Sequence, residues 1–269
     1  MSNELTQVMG RPTNNSISIS VLSPNDMEFY FKFGTSSGNL DNTTSSFFAH
    51  KDVPSEVRID GLDSNTQYYY KLCSFEYTSK EYSFHTQRSS DSTFVFAVQA
   101  DSHPERLRRM FDPELYSINM DNVRNGNPDF YISLGDDFGI TKLGINSEVS
   151  EENVRKIYIN QRKFFGSVSA PIFLVNGNHE QAAKYLLDGT PNNPAVWAAK
   201  SRNEYFPQPT IENFYTGNVE QVKHIGALND YYSFQWGDAL FVTLDPYWHS
   251  EVHVDKPMLG MPIKQNSIS

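Results

Sequence analysis

The sequence predicts an all-β sandwich followed by an α/β domain built on a parallel sheet. Three observations carry this. Up to residue 87, short β-branched and aromatic runs alternate closely with turn residues. From residue 93, longer apolar runs alternate with stretches of helical periodicity. Three of those apolar runs end in clusters of Asp, His and Asn.

In the first region, SISISV (16–21), MEFYFKF (27–33), SEVRI (55–59), QYYYKLCSF (67–75) and KEYSFHT (80–86) read as strands. Their side chains suit a pleated, half-buried surface. SPND, GTSSGNLDNTTSS and DGLDSNT between them supply the turn chemistry. The first domain is therefore placed at 1–87, with RSSDS (88–92) as a polar linker and the second domain at 93–269.

In the second region, TFVFAVQ (93–99), DFYISL (129–134) and PIFLV (171–175) are nearly continuous apolar runs, as strands covered on both faces require. PELYSINMDNVRNG (113–126) spaces Leu115, Ile118 and Val123 as on a helix before a Gly stop. Ser150 and two acids open a second helix over 150–166. It carries Val154, Ile157, Tyr158, Gln161, Phe164 and Phe165 largely on one face and stops at Gly166. A further helical pattern begins after Glu180, and YYSFQWGDALFVTL (231–244) reads as a hairpin around Gly237-Asp238. Strands joined by helices imply parallel pairing.

Composition narrows the function. The net charge of −10 argues against binding nucleic acid or anionic membrane through bulk electrostatics. Cys73 is the single cysteine, which excludes an intrachain disulfide and a cysteine-rich zinc site. The start, MSNELTQVMGRP, lacks the layout of a signal peptide, and no apolar run approaches the ~20 residues that span a bilayer. The chain as written reads as soluble and unexported, with no membrane or nucleic-acid partner.

The strand ends carry the chemistry. Run 93–99 leads into ADSHPE, run 129–134 into GDDFG, and run 171–175 into NGNHE. In a parallel sheet these ends share one edge, where sites of open α/β folds form. Asp101, His103, Asp136, Asn178 and His179 should therefore converge, and they are groups that coordinate metals or move protons. Other features are set aside. Gly34-Thr35-Ser36-Ser37-Gly38 matches a hydrolase elbow, but no helix follows it. His249 and His253 sit in a loop-like stretch, and His50, His85 and His224 lie away from the three clusters. Asn14 and Asn42 open glycosylation patterns, with nothing here to show secretion.

Asp-x-His, Gly-Asp and Gly-Asn-His-Glu in this order resemble the metallophosphoesterase (calcineurin-like) superfamily, up to about residue 248. The sandwich in front looks like the purple acid phosphatase layout. GLDSNTQYYY (61–70) is similar to the approach to the last strands of fibronectin type III-like domains, with Tyr68 at the corner-tyrosine position. The resemblance implies an αββα-type domain. It implies that Asp101 and His103 hold a first metal, that Asp136 bridges two, and that Asn178 binds the second. It makes His179 a catalytic group facing the leaving oxygen, oriented by Glu180. Two divalent or trivalent ions, iron, manganese or zinc, would clamp a phosphoryl group and activate water.

Two departures qualify it. The tyrosine of the purple enzymes is replaced by Gly139, which points to a general metallophosphoesterase metal set. The family's later His motifs do not follow, since DKPMLGMPIKQNSIS ends the sequence without a His. The expectation is a hydrolase of small phosphate esters, monoesters foremost, incomplete at its C-terminus and weakly active. The alternative is a fragment without catalysis that binds through its sandwich. Relatives of this layout are often exported, at odds with the absent signal peptide.

Overall fold

The second strand explains how the two regions meet. In the computed structural model, which describes residues 4–140, 149–180 and 187–245, all six residues of Ile17–Leu22 are buried. Side chains alternate faces along a strand. Ile17, Ile19 and Val21 enter the sandwich core, while Ser18, Ser20 and Leu22 turn the other way, and Leu22 joins the core of the second region. The small serines let neighbouring backbone approach.

The strands of the first region are β1 (Thr6–Gly10), β2 (Ile17–Leu22), β3 (Met27–Gly34), β4 (Asn42–Thr43), β5 (Phe47–Ala49), β6 (Ser55–Ile59), β7 (Gln67–Ser74) and β8 (Tyr82–His85). One sheet runs β1-β2-β6. The other runs β4-β3-β7-β8, with β5 also on β3, and all pairs are antiparallel. Phe29, Phe31, Tyr70, Leu72 and Phe84 fill the space between them. The hydroxyl of Tyr68 accepts the amide of Asp63 at 2.9 Å, the main-chain bond expected at that position. After Gly34 the chain makes a tight turn, so the hydrolase-like pattern has no helix behind it.

The second region contains β9 (Phe96–Gln99), α1 (Pro113–Asn125), β10 (Phe130–Ser133), α2 (Glu151–Phe165), β11 (Ile172–Leu174), α3 (Pro194–Tyr205), β12 (Thr216–Gly217), β13 (Gln221–Val222), β14 (Gly226–Ala227), β15 (Tyr232–Trp236) and β16 (Ala239–Thr243). β9, β10 and β11 pair in parallel with β10 central. β15 and β16 form the expected hairpin, with β12 alongside, and β13 pairs with β14. The two larger sheets face each other through Phe130, Phe173, Tyr232, Phe234 and Trp236, with Phe173 stacked on Phe234 at 4.3 Å. The opposite side of the parallel sheet packs Tyr131, Ile172 and Leu174 under the helices.

Ser150 caps α2 by accepting the amide of Asn153, and Gly166 closes it. All six residues expected on its inner face are buried. Two other helical expectations need correction. On α1, Leu115 and Ile118 are more than half exposed, and Tyr116 and Met120 are the buried pair. Two aromatic neighbours, Phe111 and Phe164, pull Tyr116 inward and turn the helix accordingly. α3 was not expected at all. Ala195 to Ala199 are all buried, so its sequence lacks the polar stripe that marks a surface helix. The helical pattern expected after Glu180, together with His249 and His253, falls outside the described residues.

Arg162 fastens α2 to the sandwich. It is fully buried and donates to Thr6 Oγ1 (3.0 Å), Ser20 Oγ (2.9 Å) and the carbonyls of Ser20 (2.8 Å), Thr6 (3.3 Å) and Tyr205. Burial lowers its pKa to about 9, against a smaller opposing effect of Tyr205. Arg11–Glu56, Arg58–Glu212 and Arg88–Asp129 ion pairs add partly exposed contacts around the junction. Among the described residues no helix is long and apolar enough to cross a membrane.

Candidate metal centre

The three parallel strands deliver their following loops to one edge, and the loops then hold one another. The amide of Asp101 donates to the carbonyl of Gly135, and that of His103 to the carbonyl of Asp136, both at 3.0 Å. Gly135 (φ 99°) and Gly177 touch backbone to backbone. A Cβ on the first would overlap the second, and a Cβ on Gly177 would overlap the Asp136 carboxylate. Only glycine allows that approach. Asp101 (φ 59°), His103 (φ 46°) and Asp136 (φ 58°) all adopt the left-handed region. Such strain in non-glycine residues concentrates at functional sites.

The side chains converge accordingly. His103 Nε2 stands 3.7 Å from Asp101 Oδ1 and 3.7 Å from Asp136 Oδ2. Those distances are too long for hydrogen bonds. They suit donors that share a cation, since metal–ligand bonds of about 2.0–2.2 Å place two ligands roughly 3–4 Å apart. His103 and Asp136 are nearly closed off, whereas the Asp101 side chain is 66% exposed, so the cluster opens to solvent on that side. One ligand atom from each of His103, Asp136 and His179 lies within 4.8 Å of the others. The donor set of imidazole nitrogen and carboxylate oxygen fits a divalent metal ion.

His179 packs edge-on against His103, with ring centroids 4.9 Å apart. Its amide donates to Asp136 Oδ1 at 2.9 Å, and Arg106 Nη2 lies 3.4 Å from its Nε2. Burial, reinforced by His103 and Arg106, lowers its pKa, while Asp136 opposes the shift. Asn178 sits half-buried on the same turn, between Gly177 and His179.

Glu180 has partners other than the imidazole the resemblance implies. Its Oε1 accepts the amides of Asp137 (3.0 Å) and Phe138 (3.1 Å), and its Oε2 accepts that of Gly177 (2.6 Å). It therefore clamps the second loop to the third. Burial pushes its carboxyl up to about 8 against the pull of those amides.

Sequence reasoning passed over the supports beneath the cluster. Asp137, adjacent to Asp136, points inward and accepts from Gln99 Nε2 (2.9 Å), the Ser102 amide (3.1 Å) and Ser133 Oγ. Burial raises its pKa despite these bonds. Gln161 of α2 donates to Ser102 Oγ (3.1 Å) and the Asp137 carbonyl (2.6 Å). Glu105 and Arg106 flank the two histidines. The doubled acid in Gly-Asp-Asp was the one available signal, because only one of two adjacent side chains can face the edge. A separate cleft of about 440 Å³ lies at the junction of the two regions, lined by Thr13, Asn15, Arg58, Gln87, Glu212 and Phe214 among others. None of the strand-end residues lines it.

The chain is similar over 93% of its length to a solved structure described as PhoD, with a TM-score of 0.61 and 16% identity. It spans 52% of that chain. Other solved structures align with about a third of this chain at low TM-scores. One such alignment is with the sensor domain of the anti-sigma factor RsgI4 of Pseudobacteroides cellulosolvens (0.27, 18% identity, 32% of this chain, 94% of that one). Another is with chicken CNTN1 FN1–FN3 domains (0.26, 12% identity, 33% of each). No curated protein matches the sequence. The family model for calcineurin-like phosphoesterases matches residues 94–257, more than half of the chain and all three strand ends, and the protein belongs to that family.

Proposed function

We propose that this chain is a metal-dependent hydrolase of small phosphate esters, monoesters foremost, that works through a two-metal centre at the edge of the parallel sheet. The observation that carries the reading is the convergence of His103 Nε2 with Asp101 and Asp136 at 3.7 Å each, on loops from two different strands. Asp101, His103 and Asp136 would hold one ion, and Asp136 with Asn178 a second. Zinc, manganese or iron suit these donors. When bound, the ions supply the Lewis acidity and the activated water for attack on phosphorus. The protein's own part is to keep Asp136 between both positions and to leave the Asp101 side open for the ester. Arg106, beside His179, adds a positive charge for a phosphate oxygen.

His179 admits two roles. The family resemblance puts it opposite the leaving group as acid or electrostatic stabiliser. The proximity of its ligand atom to those of His103 and Asp136 favours a second role, as a metal ligand. Among the described residues this scheme gives a second ion two oxygen donors, Asp136 and Asn178, and a His179 ligand would add a third.

The experiment is hydrolysis of an aryl phosphate after loading with manganese or zinc. We expect activity that chelator abolishes and metal restores. Hydrolysis untouched by chelator would overturn the reading.

A further inference from the structure

The buried carboxylate of Glu105 has no part in the scheme above. Its side chain is 1% exposed, and that of His103 is 4% exposed. Glu105 Oε1 lies 2.9 Å from His103 Nδ1, and Arg106 Nε lies 3.3 Å from the same oxygen. Oε2 is buried with no hydrogen-bond partner. Burying a carboxylate this incompletely satisfied costs stability rather than adding it. The group therefore needs another reason to be there.

We propose that Glu105 is the positioning residue of His103, and that position 139 is glycine to make room for it. An ionised carboxylate only accepts hydrogen bonds, so a bond at 2.9 Å fixes the proton of His103 on Nδ1. The lone pair then lies on Nε2, the nitrogen that faces Asp101 and Asp136 at 3.7 Å. A carboxylate on the far nitrogen also holds the ring plane. The backbone supplies the geometry. His103 sits in the left-handed region (φ 46°, ψ 57°) and starts the short 3₁₀ turn Pro104–Arg106, which folds Glu105 back beneath the ring. Gly139, from the second loop, closes the site from the other side. A Cβ there would stand 2.5–2.6 Å from the Glu105 carboxyl carbon and both oxygens. Any side chain at 139 would displace the carboxylate, so two residues 34 apart in sequence act as one device.

The proposal rests on the metal reading of the site, but its main readout does not. The tautomer of His103 is measured in the metal-free protein by ¹⁵N NMR of the histidine rings, and zinc affinity is measured by titration with zinc alone. Wild-type protein should carry the proton on Nδ1. Glu105→Ala should populate both tautomers and weaken zinc binding by about 10–100-fold. Glu105→Gln keeps an accepting oxygen, so it should retain the tautomer and recover most of the affinity. It also serves if the alanine variant fails to fold. Gly139→Ala should reproduce the alanine variant although it touches no ligand. An unchanged tautomer in Glu105→Ala, or wild-type behaviour of Gly139→Ala, overturns the proposal. A wild-type protein with the Nδ1 proton that binds no zinc would overturn the metal reading and leave the positioning role supported.

Discussion

His179 is the residue whose role separates most cleanly by experiment. If it serves the leaving group, His179→Ala should lower turnover by about 10²–10⁴ and leave metal content unchanged. If it is a ligand, metal content falls with activity. Where the strand-end residues lie was legible at this scale where the motif names them. Asp101, His103, Asp136 and His179 sit together as the strand-end reasoning requires. The supports were not legible, because a buried Glu, Gln or Asp gains its role from partners distant in sequence. Glu180 is the case in point. The sequence suggests a partner next door in His179, and the fold gives it three amides, two of them more than 40 residues away. Away from the site, burial pushes the carboxyl of Asp230 up to about 6, against the bond it accepts from Asn218 Nδ2 at 2.9 Å. A raised carboxyl favours the folded state while protonated. Its contribution is full below pH ~4 and lost as pH rises through about 6. Asp230→Asn should flatten the stability profile over that interval, measured by urea denaturation at several pH values.

Elements were legible wherever burial is one-sided. α2 presents a polar face and an apolar face, and its ends carry Ser150 and Gly166, so its limits fall where the sequence puts them. α3 is buried nearly all round and escaped notice. Strand β1, TQVMG, is short and lies between the two cores, Val8 facing one and Met9 the other, so no clear alternation marks it. The junction it helps form depends on Arg162. Arg162→Ala would remove a donor from the carbonyls of Thr6, Ser20 and Tyr205, leave Tyr205 the 3.3 Å bond from Ser20 Oγ, and open a cavity. A loss on the order of 3–5 kcal/mol is expected. Urea denaturation should register it as a lower midpoint with little change in slope. A loss below about 1 kcal/mol would mean that water or neighbouring side chains take over those bonds.

Across the whole molecule, one consequence of the layout concerns the outer face of the hairpin. Leu240, Val242 and Leu244 alternate outward along β16 and its exit, each more than half exposed, and β9 exposes Phe96 and Val98. Exposed apolar strands at a sheet edge invite pairing with another chain. The protein should self-associate with rising concentration, and Val242→Lys should suppress this in sedimentation velocity. The sequence made the order of layers readable, a sandwich followed by a parallel three-stranded sheet, because each layer has its own hydrophobic period. It left the packing of one on the other unreadable, since the serines of β2 look like surface residues until Arg162 is seen against them.

The central claim is that the three strand ends together hold metal ions through Asp136. Calorimetric titration of the metal-free protein with zinc tests it most directly, in wild type beside Asp136→Asn. We predict two binding events of unequal strength in the wild type, and the loss of both in the variant, because the proposed scheme shares Asp136 between both ions. Zinc binding that is unchanged in Asp136→Asn, or absent from the wild type, would contradict the account.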